Sequence, residues 1–346
     1  MSDKREYGID ALKTVAMLFV VINHILFWGG YGVDVSGYSA KAIGLKLIDA
    51  VAICAVNVFV LSSGWIMSCK IWRWSRIVEL WATVVFYSLI IAAIAKWFLG
   101  VEFGMRIWLH SIMPVGCNQY WFFTVYFGLF FSMPVLNKLI ASLSEREGVL
   151  FVYVGLVMFS LYPWLQRHDL FAIHDGYSLI WFMYLYSLAG IAKRNLWLDK
   201  LRVWHGIALV VLGALGSVSL PVIHERLSEI VGLKPILGIF SAYTSPLLVM
   251  ESLGFLLLFS KLRIDGGRLR GILRLTAPSI FTVYIIHSNK LFRQMVKWND
   301  FWSDYLQNNS FAYSVLGTLV AAALIFSYCI LVDQVRILLF RKFNAK

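Results

Sequence analysis

Apolar runs of about 20 residues, the length a helix needs to cross the ~30 Å hydrocarbon core of a bilayer, follow one another along this chain with only short charged segments between them. A chain with 60% hydrophobic and only 14% charged residues cannot bury that surface in a water-soluble fold, where about a quarter of residues are charged. Only helices and closed barrels satisfy their backbone in lipid, and runs of this length are helical. The fold class is therefore all-α, a polytopic membrane helical bundle of about ten transmembrane helices. Spans are expected near residues 11–29, 51–69, 77–98, 120–141, 149–165, 178–192, 205–223, 240–260, 277–292 and 311–334. Their close succession leads us to expect a single transmembrane domain over residues 1–346, with no fused soluble domain.

Charge sets the orientation. With the N-terminus in the cytoplasm, inner segments hold most of the 31 basic residues, from Lys4, Arg5 and Lys13, through Lys70, Arg73 and Arg76 and the run Lys261 to Arg274, to Arg336 and Lys346. That bias puts both termini inside and accounts for the net charge of +12 without nucleic acid as a partner. Outer segments then carry Arg167, His168, Asp169, His174, Asp175, Trp298, Asp300, Trp302 and Asp304. The stretch Ala40 to Ala50, with Lys41 and Lys46, reads as a short helix lying along the outer surface. Cys54, Cys69, Cys117 and Cys329 lack the clustered spacing of a metal or disulfide framework and read as packing residues. The first apolar run is too long for a cleaved signal peptide.

Within that frame the segment Ile9 to His24 is unusual, because it places a histidine inside a span. Ionisable side chains there face a protein or aqueous interior and mark function. Lys13 and His24 are eleven residues apart, about three turns, so one stripe of the helix carries both. Asp10 at the helix start is either an orienting group for the chemistry or a favourable charge on the helix dipole.

Other polar groups recur in or beside the spans. Arg73 and Arg76 are three apart; on a helix they share a face and suit a polyanion, although positive-inside anchoring explains them equally. Asn118 and Gln119 precede Tyr120 and Trp121 at the start of a span, an acceptor-side feature or an aromatic belt. Ser63 beside Gly64 is a donor to a developing oxyanion or a close helix contact. His287 lies deep in span nine as a second functional histidine or a simple interhelical hydrogen bond. Glu79 and Glu251 are intramembrane carboxylates, each paired with a buried base or set in a water-filled cavity.

Four of these segments together resemble the acyltransferase 3 family of integral membrane acyltransferases, from about Tyr7 to the end of span ten. Asp10, Leu12, Lys13 and, after ten residues, His24 match the first-span frame, with lysine where the family carries arginine. VNVFVLSSG, with Asn57 in place of aspartate and Ser63 and Gly64 at its end, is similar to the family's second element, and Arg73 and Arg76 match its arginine pair. Trp121, Phe122 and Pro134 match the later aromatic span, and Ser279, Tyr284 and His287 the last.

The resemblance implies transfer of an acyl group, usually acetyl, from cytoplasmic acetyl-CoA to a hydroxyl of a cell-surface or lipid-linked glycan, in a bacterial inner membrane and with no metal. It implies that His24 is essential and that Lys13, Arg73 and Arg76 hold the coenzyme. Some relatives carry an extracytoplasmic hydrolase-like domain, so direct transfer or a separate extracytoplasmic partner is expected, with a homo-oligomer as a further arrangement. An imidazole titrates near ~6.5 in water and serves either as base toward the acceptor or as a relay that takes the acyl group itself. The competing class is a transporter of a sugar-lipid or small anion, with buried His and Glu coupled to protons. The spans show no clear internal repeat of the kind many transporters have.

Overall fold

The computed structural model describes residues 5–32, 39–166, 169, 171–232 and 238–344, and all helices named below belong to those residues. Lys4, Arg167, His168 and Lys346, which the sequence reading used, lie outside them. The helices are α1 Tyr7–Trp28, α2 Ala40–Ile53, α3 Ala55–Met67, α4 Trp74–Trp97, α5 Met105–Ile112, α6 Trp121–Ser142, α7 Glu145–Leu156, α8 Tyr162–Gln166, α9 Leu179–Arg194, α10 Val203–Val231, α11 Gly238–Ser241, α12 Pro246–Ser260, α13 Gly267–Thr276, α14 Ile280–His287, α15 Lys290–Met295, α16 Trp298–Asn308 and α17 Phe311–Asn344. The described residues contain no strand.

Nine helical segments among the described residues are long and apolar enough to cross a membrane. The tenth expected span is α9, which at 16 residues is too short to be counted with them. Several spans are jointed. Helices α7 and α8 join through a π turn over Val157–Leu161, just before Pro163, which has no N–H for the carbonyl one turn back. Helices α13 and α14 join through the turn Ala277–Ser279.

Helix α1 is the axis of the bundle, packed against α2, α3, α12, α14, α16 and α17. Beyond it α3 packs on α9 and α12, and α9 on α6. The α3–α9 contact brings backbone to backbone at Gly64, where any added Cβ would overlap the Tyr186 carbonyl. Ser63–Gly64 is thus a close-packing element, as small residues are between membrane helices.

Two readings need correction. Ala40 to Ala50 does not lie on a surface. It forms the first part of a bent span, residues 40–67, with Ala42, Leu45, Lys46 and Asp49 buried against α1 and α10. Its charges are tolerated because they are partnered: Asn23 donates to the Asp49 carboxylate at 2.8 Å. Glu79 is not an interior carboxylate either. It lies on the exposed side of α4.

A Gly64→Ala protein should lose ~1–3 kcal/mol of stability from overpacking, read as a lowered midpoint of thermal unfolding in detergent. A midpoint equal to wild type would show that α3 and α9 can separate freely.

Candidate active site

The stripe read on α1 lines a cavity of 580 Å³ with Lys13, Met17, Val20 and His24. Those positions recur every three or four residues, the period of one helix face, so Lys13 and His24 stand ~16 Å apart along the axis at 1.5 Å per residue. At the Lys13 end the wall includes Arg76 and Met67; between the ends it is largely apolar, with Phe59, Leu80 and Phe130; around His24 it includes Asn23, Trp121, Tyr243 and Tyr284. Lys13 forms no salt bridge among the described residues.

His24 does not stand alone at its end. Its Nδ1 is 3.0 Å from Nε2 of His287, a residue 263 positions later in the chain. His287 in turn has Nδ1 2.5 Å from the carbonyl of Val283. A carbonyl only accepts, so His287 Nδ1 carries the hydrogen. With both rings neutral, His287 Nε2 must then accept, and His24 Nδ1 must donate to it. The consequence is a fixed tautomer: His24 presents an unprotonated Nε2. Ser288 Oγ lies 3.5 Å from His24 Nδ1 and 3.4 Å from His287 Nε2, a hydroxyl against the joint.

The ring is held on its flanks as well. Trp28, one turn on, stacks on His24 with centroids 4.2 Å apart. The Arg293 guanidinium sits 3.8 Å over the other aromatic of that stack, Trp28, and burial lowers its pKa from the usual arginine range. Trp298 Nε1 donates to the His24 carbonyl at 3.4 Å.

The other expected site residues separate. Trp121 joins the cavity wall beside Tyr243, their rings stacked at 5.8 Å. Ser63 also lines it, but its hydroxyl donates to the Phe59 carbonyl at 2.9 Å and takes the Tyr126 hydroxyl at 3.3 Å. Ser63 is therefore an acceptor toward the cavity, not a ready oxyanion donor. Arg76 lines the cavity, whereas Arg73 is exposed and extended, at the residue before α4. The two do not share a helical face because the helix begins only at Trp74.

Asp10 does not line the cavity; its carboxylate takes Arg5 Nε at 2.5 Å. Glu251 is buried away from it, with one oxygen 3.5 Å from Ser217 Oγ and the other unpartnered. Tyr120 is buried behind it, its hydroxyl taking Asn289 Nδ2 at 2.6 Å.

Sequence reasoning missed Asn23, Tyr126, Tyr243 and Arg293. Asn23 carried a signal, since it is the neighbour of His24 in an apolar helix. The others are two aromatics among many and a basic residue just past the end of a span. Asn57, which stands where the resemblance expects aspartate, is fully buried. Its amide donates to the Tyr243 carbonyl at 2.7 Å, and its oxygen accepts from Trp181 Nε1 at 3.1 Å. An amide can do both, and a carboxylate, which only accepts, cannot.

The order of these features agrees with a sequence comparison. The model of the acyltransferase 3 family, described as an acyltransferase domain, matches residues 6–332. The chain belongs to this family. It is thus a multi-pass membrane acyltransferase, transferring groups other than aminoacyl groups. No curated protein and no solved structure matches it.

An Asn57→Asp acyltransferase should lose ~1–3 kcal/mol or more, because a carboxylate would face the Tyr243 carbonyl in the donor's place. Thermal unfolding followed by tryptophan fluorescence, with Trp181 at the site, measures this. An unshifted transition would mean the amide donor is dispensable.

Proposed function

We propose that the protein moves an acetyl or other short acyl group from cytoplasmic acyl-CoA to a hydroxyl of a cell-surface or lipid-linked glycan, in a bacterial inner membrane. One observation carries this reading: a single cavity joins two cations to a tautomer-fixed histidine. Lys13 and Arg76 hold the coenzyme phosphates at one end, Lys13 as a point charge and Arg76 with its fork. Arg73, exposed and outside the wall, contributes long-range attraction only. The acyl-bearing arm runs along the apolar middle to His24.

At His24 the unprotonated Nε2 takes the proton of the acceptor hydroxyl as its oxygen attacks the thioester carbonyl. The carbon–sulfur bond breaks, and the imidazolium returns the proton to the departing thiolate. His287 supports the imidazolium by accepting its Nδ1–H throughout. In the relay version, Nε2 itself attacks the thioester and the acyl-imidazole passes its group to the acceptor. Trp121 and Tyr243 supply flat apolar faces at the same end, suited to a sugar ring.

In proteoliposomes supplied with acetyl-CoA, His24→Ala should abolish thioester turnover. Solute flux without turnover in the wild type would sink the enzyme reading in favour of a transporter. Rapid-quench mass spectrometry separates the two routes by the presence or absence of acyl-His24. His287→Phe, which removes the acceptor and frees the tautomer, should lower kcat by ~10²–10⁴-fold with little change in donor KM. His287→Gln, whose carbonyl can still accept, should retain more. Equal losses in the two variants would contradict the tautomer argument.

The cations give an asymmetric expectation. Arg76→Ala should raise donor KM by tenfold or more, as for loss of a hydrogen bond to a charged group, and Arg73→Ala by much less. Lys13→Arg should preserve or raise activity. Calorimetry with coenzyme A checks binding directly, and equal effects at 73 and 76 would remove the cavity as the donor site.

A further inference from the structure

A second cavity, of 440 Å³, opens beside the first at the histidine end of the bundle. Its wall combines Arg106, His110, Asn118, Gln119, Lys290 and Gln294 with a few apolar residues, and no carboxylate. Its place follows from the chain: Asn289 and Lys290, both lining it, come directly after the His287–Ser288 joint. The partition between the cavities is Tyr120. Its hydroxyl is held by Asn289 and, at 3.3 Å, by Ser88, both on the second cavity's wall. Its ring stands 6.0 Å from that of Tyr284, which lines the first.

Two kinds of group in this wall are open to a ligand. Arg106 donates to His110 Nε2 at 3.4 Å but forms no ion pair, and neither does Lys290, among the described residues. Both are exposed cations with no protein anion beside them among the described residues, open to a ligand's anion. Gln119 Oε1 is buried with no hydrogen-bond partner, which calls for a hydroxyl or amine donor at a buried acceptor. A ligand that meets both demands carries hydroxyls and an oxyanion together. A neutral sugar leaves the cations unused, and inorganic phosphate or a carboxylate alone leaves less to bridge from Arg106 to Gln119.

We propose that this second cavity is the acceptor subsite and that it selects a sugar bearing an oxyanion, a uronate carboxylate or a sugar phosphate, over the neutral sugar. The proposal rests on the acyl-transfer reading above. It places the anion on Arg106 and Lys290 and a ring hydroxyl on Gln119, so that the charged sugar held here adjoins, along the glycan, the sugar against Trp121 and Tyr243 that offers its hydroxyl to His24.

Calorimetry on the full-length protein in nanodiscs, with glucose, glucuronate and glucose 1-phosphate as probes, tests this. Wild type should bind one or both charged sugars at least ~10-fold more tightly than glucose, the equivalent of one hydrogen bond to a charged group. The better of the two identifies the anion as carboxylate or phosphate. The Arg106→Ala, Lys290→Ala double variant should lose the preference, and the Arg106→Lys, Lys290→Arg double variant should keep most of it. The preference should shrink with added salt, because exposed cations are screened. Equal affinity for charged and neutral sugars in wild type, or an unchanged preference in the double alanine variant, would overturn the proposal. Thioester turnover by wild type is read in parallel. Turnover without a charge preference overturns this proposal alone, whereas a charge preference without turnover overturns the acyl-transfer reading and with it the cavity's role as acceptor subsite.

Discussion

The carbonyl of Val283 fixes the chemistry of a ring on another helix. Within α14 His287 turns its own Nδ1–H back one turn onto the carbonyl of Val283. That bond leaves His287 with one acceptor nitrogen, aimed at His24. A histidine in solution exchanges freely between tautomers; here the choice is made two bonds away by a group that can never donate. The arrangement works only if α1 and α14 keep their relative position. The contacts of α1 on α14 and α17, and the Trp298 bond to the His24 backbone, hold it.

The same dependence extends to the wall opposite. Trp121 and Tyr243 stand at the His24 end because Asn57, on α3, ties the Tyr243 backbone to Trp181 on α9. Helix α3 can reach α9 closely enough because Gly64 has no side chain. A buried amide and a glycine therefore shape a cavity that neither dominates. Their effect is on the position of aromatic faces, not on the reacting atoms.

Much of this was legible in sequence, and what was not has a physical reason. The helical class, the approximate spans and the shared face of Lys13 and His24 follow from apolar run length and the 3.6-residue period, both local properties. The Ala40 to Ala50 segment misled because its lysines look like surface charges. Lys46 and Asp49 are buried there, and such burial depends on partners elsewhere, Asn23 for Asp49 among them, which no local pattern records. Arg73 and Arg76 misled for a smaller reason: a spacing of three places residues on one face only if both are helical, and α4 starts between them. The His24–His287 bond joins residues on two helices far apart in the chain. Sequence could mark both histidines as out of place in apolar spans, but only the packing of α14 on α1 brings them together.

The apolar middle of the first cavity argues for how the proposed donor is divided between its two ends. A phosphate moved from water into a wall of Met17, Val20, Phe59 and Phe130 would lose its hydration with no cation in reach, a penalty of several kcal/mol per charge even after relaxation. The phosphates are therefore confined to the Lys13 and Arg76 end, while an uncharged thioester arm meets no such barrier. The separation of Lys13 from His24 along α1 thus acts as a filter as well as a ruler. It admits the reactive end of the donor to the histidine and keeps the charged end from following, so a group crosses the bundle while its carrier stays behind. On this argument the lysine at position 13 keeps what matters most there, a fixed positive charge at the mouth of an apolar passage, and Arg76 supplies the forked hydrogen bonds that lysine lacks.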